Sequence, residues 1–129
     1  CVSASGPRSP ARFLNRSTRL DEGEYMLICQ WHLDIAYGKQ GEAVRVMRAW
    51  GAEKFASSEF RRARGTRLLA GFVGPSASHI VDEYSFDSLA DFEAALASMA
   101  GPQFRAHSDA LAPFIVPGSQ HWVVYRVLE

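Results

Sequence analysis

Gln30, His32 and Asp34 recur at a spacing of two, and a second carboxylate, Glu83, stands farther along the chain. An imidazole changes charge near neutral pH, so His32 is the leading candidate for general acid–base work or for contacting a ligand. In an extended strand this spacing puts all three side chains on one face, with Gln30 and Asp34 flanking His32. If the strand carrying Glu83 lies alongside, that carboxylate can orient the imidazole or pair with its charge. The plainer reading keeps His32 as a hydrogen-bonded structural group and Glu83 as a subunit contact paired with Arg126. A buried ion pair of that kind speaks weakly for either function or stability.

His107 is the other histidine to weigh, in the run Phe104-Arg-Ala-His-Ser-Asp. A place at the rim of a pocket would suit an axial ligand to haem. A capped or exposed side chain beside Asp109 is the simpler account. His79 and His121 begin strands and are expected in solvent. The four histidines show no HxH or HxxxH spacing and no cysteine partners at metal-site intervals, so no metal centre is expected. No G-x-S-x-G, phosphate-cradling glycine loop or dinucleotide fingerprint is present, which sets aside serine-nucleophile, nucleoside triphosphate and NAD chemistry.

The elements that must position these residues are read from periodicity. From Met26 to Ile35 the residues Leu27, Cys29, Trp31, Leu33 and Ile35 alternate with Ile28, Gln30, His32 and Asp34, the signature of a strand with one wholly apolar face. From Glu42 to about Ser57, Ala43, Val44, Met47, Trp50, Gly51 and Phe55 form the apolar stripe of a helix. A second strand is expected over Thr66 to Val73, then a five-residue turn, Gly74 to Ser78, and a third strand from His79 to Phe86. Asp87 or Ser88 caps a second helix whose buried stripe reads Leu89, Phe92, Leu96 and Met99, and Gly101-Pro102 stops it. A short helical piece spans Gln103 to Ala112, and a last strand spans His121 to Leu128. The order is βαββαβ, an α+β, ferredoxin-like arrangement with two helices on one face of a four-stranded antiparallel sheet.

The chain has 129 residues, is 47% hydrophobic and 22% charged, and carries no formal net charge, which fits one domain with a real core. Arg61, Arg62, Arg64 and Arg67 form the only local charge excess and read as a solvated stretch. Neither nucleic acid nor a membrane surface is an expected partner, and the strands lack the aromatic and basic pair that stacks RNA bases. Cys1 and Cys29 sit in such different contexts that two free thiols are expected, in keeping with a cytoplasmic setting. Residues 1–25 are rich in Ser, Arg, Pro and Gly and are expected to lie outside the fold, the domain spanning 26–129. A targeting peptide, a tether beginning at Cys1, or an upstream segment preceding a natural start at Met26 would each account for them, and the last is favoured.

Two helices cover one sheet face only. The other mixes Ile28 and Val81 with Gln30, His32 and Glu83, joined either by Val123 and Tyr125 or by Trp122, Val124 and Arg126, according to register. Such a face is a liability in a monomer, so a homodimer with its sheets face to face around an enclosed space is expected.

The runs Trp31-His-Leu-Asp-Ile-Ala-Tyr-Gly-Lys-Gln-Gly, Leu68-Leu-Ala-Gly-Phe-Val-Gly-Pro-Ser and Glu83-Tyr-Ser-Phe-Asp-Ser-Leu-Ala-Asp-Phe-Glu, with the ending Val124-Tyr-Arg-Val, resemble the dimeric α/β-barrel superfamily. Within it the chain is most similar to small bacterial NIPSNAP-like and antibiotic-biosynthesis-monooxygenase-like proteins. The resemblance implies a ligand site at the concave sheet face and its rim, and activities ranging over cofactor-free monooxygenases acting on polyketide-like quinols, haem-degrading enzymes and lactone isomerases. No haem-degrading motif can be matched here, so no cofactor is expected and haem is the lesser alternative. On this reading a small hydrophobic or aromatic molecule is the ligand, His32 and Glu83 are the catalytic candidates, and Gln30, Asp34, Tyr84, His107, Trp122 and Arg126 bind, with Trp31 adding apolar wall. The contrasting class is a non-catalytic binding or assembly dimer.

Overall fold

The computed structural model describes residues 25–129. Cys1 and residues 2–24 of the N-terminal segment lie outside the described residues. In chain order the elements are β1 (Leu27–Asp34), α1 (Gln40–Ser57), β2 (Gly65–Ala70), β3 (His79–Phe86), α2 (Leu89–Ser98), α3 (Arg105–Leu111) and β4 (His121–Arg126), with 3-10 turns at Glu59–Arg62, Pro102–Phe104 and Ala112–Phe114. The four strands form one antiparallel sheet in the order β2-β3-β1-β4. It is an open α+β sheet rather than a barrel closed by one chain.

The alternation in β1 is realised as read. Cys29, Leu33 and Ile35 are buried on the helix side. Beside them on β3 stand Ile80, Asp82, Tyr84 and Phe86, because Cys29 pairs with Tyr84 and Leu33 with Ile80. Two apolar clusters result. Phe60, Tyr84, Phe86, Phe92 and Ala95 gather around Cys29. Ala43, Met47, Ile80 and Leu111 gather around Leu33 and Ile35. Burial of these side chains from water is the main force holding helices to sheet.

Register selects between the alternatives for β4. Trp31 pairs with Trp122 and Gln30 with Val123, so Val123 and Tyr125 join the open face while Trp122, Val124 and Arg126 share the helix side. Ser88 caps α2 by accepting from the Asp91 amide. Leu89 and Leu96, however, are exposed rather than buried, and Ala95 takes the inner position beside Phe92. The second strand ends at Ala70, not Val73, and an eight-residue connection precedes β3. Gly71 is the reason: its amide donates to the His79 carbonyl, and a Cβ there would lie 1.9 Å from the Ser76 carbonyl oxygen. Only glycine permits so close an approach, and the chain turns out of the sheet at that point.

Candidate functional site

One continuous hydrogen-bonded chain crosses three strands of the open face. Arg67 Nε donates to Glu83 Oε2 at 2.6 Å and Gln30 Nε2 donates to Glu83 Oε1 at 2.8 Å. His32 Nε2 is 2.9 Å from Gln30 Oε1, and His32 Nδ1 is 2.8 Å from His79 Nε2. His79 Nδ1 closes the chain at 2.7 Å from Asp34 Oδ1. Register builds it: Gln30 and Arg67 both pair with Glu83, and Asp34 pairs with His79.

The two carboxylates at its ends fix the protons. Glu83 only accepts, so Gln30 turns its amide nitrogen to Glu83 and its oxygen to His32, which donates from Nε2. Asp34 likewise accepts from His79 Nδ1. A hydrogen is still required between His32 Nδ1 and His79 Nε2 for that contact to be a bond. Burial, then the neighbouring His79 and His121, hold His32 below the ordinary imidazole range. Burial alone would raise Glu83, but the hydrogen bonds from Arg67 and Gln30 and the Arg67 charge outweigh it, leaving the carboxyl below its usual range.

His32, Glu83, Gln30 and Asp34 are thus brought together, as their spacing implied. His79 corrects the expectation of a solvated residue, since it is the link between His32 and Asp34. His121 is exposed, but its ring stacks on His32 with centroids 5.0 Å apart. Glu83 pairs with Arg67 rather than Arg126, because Arg126 pairs with Leu27 on the other face and lies over the Tyr25 ring at 4.9 Å. Arg61, Arg62 and Arg64 are exposed and each meets a carboxylate, of Glu59, Asp91 or Asp87.

Tyr84 and Trp122 fall on the helix side. Trp122 stacks on Trp31 and meets Phe92 edge-on. His107 lies flat over Trp50, with planes 11° apart. The cleft beside these rings, lined by Trp31, Trp50, Ser108 and Leu111 among others, holds about 220 Å³. That is below the roughly 300 Å³ at which small-ligand pockets begin, and these residues do not fit a haem.

A second polar cluster sits beneath the helices, and the sequence reading missed it. Lys54 of α1 is 4% exposed, and its Nζ is 3.3 Å from Asp82 Oδ2 and 3.1 Å from the Tyr84 hydroxyl. Tyr84 donates to the same Asp82 oxygen at 2.8 Å. Four rings enclose the amine: Trp50 at 4.9 Å, Phe60 at 5.0 Å, Tyr84 at 5.2 Å and Trp31 at 5.6 Å from their centroids. Burial lowers the Lys54 pKa, with Asp82 opposing the shift. Burial and then Asp82 raise that of Tyr84. The signal was there: Lys54 lies seven residues after Met47 on the buried stripe, and Asp82 sits between Ile80 and Tyr84 on an inward-facing alternation.

No family model and no curated protein matches the sequence. Solved structures do. An uncharacterised NIPSNAP domain protein from Burkholderia xenovorans superposes with a TM-score of 0.63 at 19% identity, over 78% of this chain and 93% of that one. A NIPSNAP family protein from Agrobacterium tumefaciens gives 0.62 at 20% identity, over 78% and 91%. This chain has the NIPSNAP-like fold. The cofactor-independent oxygenase SnoaB from Streptomyces nogalater shares it at a TM-score of 0.55 and 18% identity, over 81% and 94%. At these identities the likeness is one of architecture. On the NIPSNAP-like fold the chain sets two polar constellations back to back across one sheet, the His32 chain outside and the Lys54 cluster inside.

Proposed function

We propose that this chain works as a homodimeric small-molecule-binding protein and that the open sheet face is where the second copy packs. The observation that carries the reading is the closure of the polar chain on itself. Arg67 is ion-paired with Glu83 at one end, His79 meets Asp34 at the other, and the Gln30 and His32 side chains bond along the chain between them. A hydrogen-bonded band flanked by Ile28, Leu69, Val81, Val123 and Tyr125 loses water at lower cost than unpaired polar groups would. A general base needs a free lone pair, and both His32 nitrogens are engaged. The face thus favours assembly over catalysis. Light scattering at about 10 µM should give a dimer, the range in which a specific interface of ordinary size holds. Leu69→Glu should shift it to monomer with unchanged circular dichroism. A wild-type monomer at that concentration overturns the reading.

A second reading keeps a chamber between the paired faces for a small hydrophobic or aromatic molecule. It is favoured by two exposed rings, His121 stacked on His32 and Tyr125 at 56% exposure. Saturable fluorescence enhancement of anilinonaphthalene sulfonate, lost in His121→Ala, is the expected result. Enhancement unchanged in that variant removes the chamber from this face.

A further inference from the structure

The chain carries twelve arginines but only two lysines, Lys39 and Lys54. Lys39 sits in solvent beside Glu42. Lys54 is buried where an arginine elsewhere would be exposed, and a compact, deprotonatable amine is what lysine offers over guanidinium. We propose that Lys54 is the reactive amine of an internal site that takes a small aromatic aldehyde or ketone. The proposal stands apart from the dimer, since this site lies on the opposite side of the sheet.

Three features of the geometry converge. A cleft of about 450 Å³ between α1 and β2, lined by Met47, Arg48, Phe55, Thr66, Arg67 and Leu68 among others, stops short of Nζ but reaches Asp82 and Tyr84, the two groups hydrogen-bonded to it. Gly51 also lines it, and a Cβ there would meet nothing within 4 Å, so the absent side chain leaves room in mid-helix. The smaller cleft reaches Trp31 and Trp50, two of the rings around the amine. The rings enclosing Nζ suit the flat face of an aryl group, and the Trp50 Nε1–H is buried without an acceptor among the described residues.

The chemistry balances with the groups present. Asp82 takes a proton from the Lys54 ammonium, and the freed nitrogen lone pair attacks the carbonyl carbon. A C–N bond forms while the carbonyl π pair moves to oxygen, which is protonated from Asp82 through the Tyr84 hydroxyl. A nitrogen-bound proton then passes to the carbinol oxygen by the same route, and water leaves. The sum is ammonium plus carbonyl giving iminium plus water, with no oxidant or cofactor. Burial, which lowers the Lys54 pKa, aids the first transfer.

The test is reductive trapping of the folded chain with benzaldehyde and cyanoborohydride at pH 7, read by peptide mass mapping, which separates Lys54 from Lys39 and from the amino terminus. Lys54 should gain its benzyl group faster than Lys39, because burial lowers its pKa and the hydrogen-bonded Asp82 and Tyr84 stand ready to move the protons. Tyr84→Phe should slow labelling at Lys54 about tenfold or more while leaving Lys39 unchanged, because a proton route is lost. Gly51→Leu fills the cleft without touching the amine and should abolish Lys54 labelling in a chain of unchanged circular dichroism. Labelling of Lys54 no faster than Lys39 in the folded wild type, with equal labelling of both in urea, overturns the proposal.

Discussion

At the scale of single residues, the Lys54–Asp82 pair has the largest consequence for stability. Both groups are nearly excluded from water, with side-chain exposures of 5% and 8%. Removing one partner leaves the other buried without its counter-charge, which costs about 3–5 kcal/mol in comparable settings. Asp82→Asn keeps shape and the acceptor for Tyr84 while deleting the charge. Urea unfolding of that variant should show a loss in this range. A loss under about 1 kcal/mol would mean that Lys54 is neutral in the folded chain and needs no counter-ion. Cys29 gives the contrasting case of a buried group with no partner to satisfy. Burial pushes its thiol up to about 12, and it serves the core as a small apolar side chain.

At the scale of elements, the β2–β3 connection shows how one backbone contact fixes a boundary. Phe72 and Val73 continue the apolar alternation of β2, yet they are 95% and 84% exposed. The pattern alone extends the strand through them. The close approach of Gly71 to Ser76 stops it first. Gly71→Ala should therefore cost about 2 kcal/mol or more, since the Ser76 carbonyl that a Cβ would strike is backbone and cannot swing aside. Urea midpoints compared with the neutral surface change Ala77→Ser measure it, and equal midpoints would show that the loop relaxes freely. The helices follow the same logic. The 3.6-residue period placed α1 and α2 correctly, but α2 buries Phe92 and Ala95 and turns Leu89 and Leu96 out.

At the scale of the whole molecule, the open-face network makes stability depend on pH with a definite sign. His32 and Glu83 both have folded pKa values below their ordinary values of 6.5 and 4.5. The unfolded chain then binds more protons than the folded one, so stability rises with pH through each window. The His32 contribution is complete above about 6.5 and is lost as pH falls through its lowered folded value. That of Glu83 is complete above about 4.5 and is lost below it. Urea midpoints should decline in two steps between pH 7 and pH 3, and His32→Gln should remove the upper step. A midpoint constant down to pH 5 in the wild type would contradict the lowered His32 pKa.

The amino-acid order alone determined the element sequence, the two faces of β1, the cap of α2 and the shared face of Gln30, His32 and Asp34. Each of these follows from spacings of two, three or four residues, which backbone geometry converts directly into direction. Only the tertiary structure decided that Val123 rather than Trp122 stands beside Gln30, that Arg67 rather than Arg126 holds Glu83, that His79 joins His32, and that Lys54 meets Asp82. The last two pairs lie 47 and 28 residues apart in the chain. Such contacts are set by the offset at which strands align and by the depth at which a helix settles, and both are fixed by packing over the whole core rather than by any local pattern.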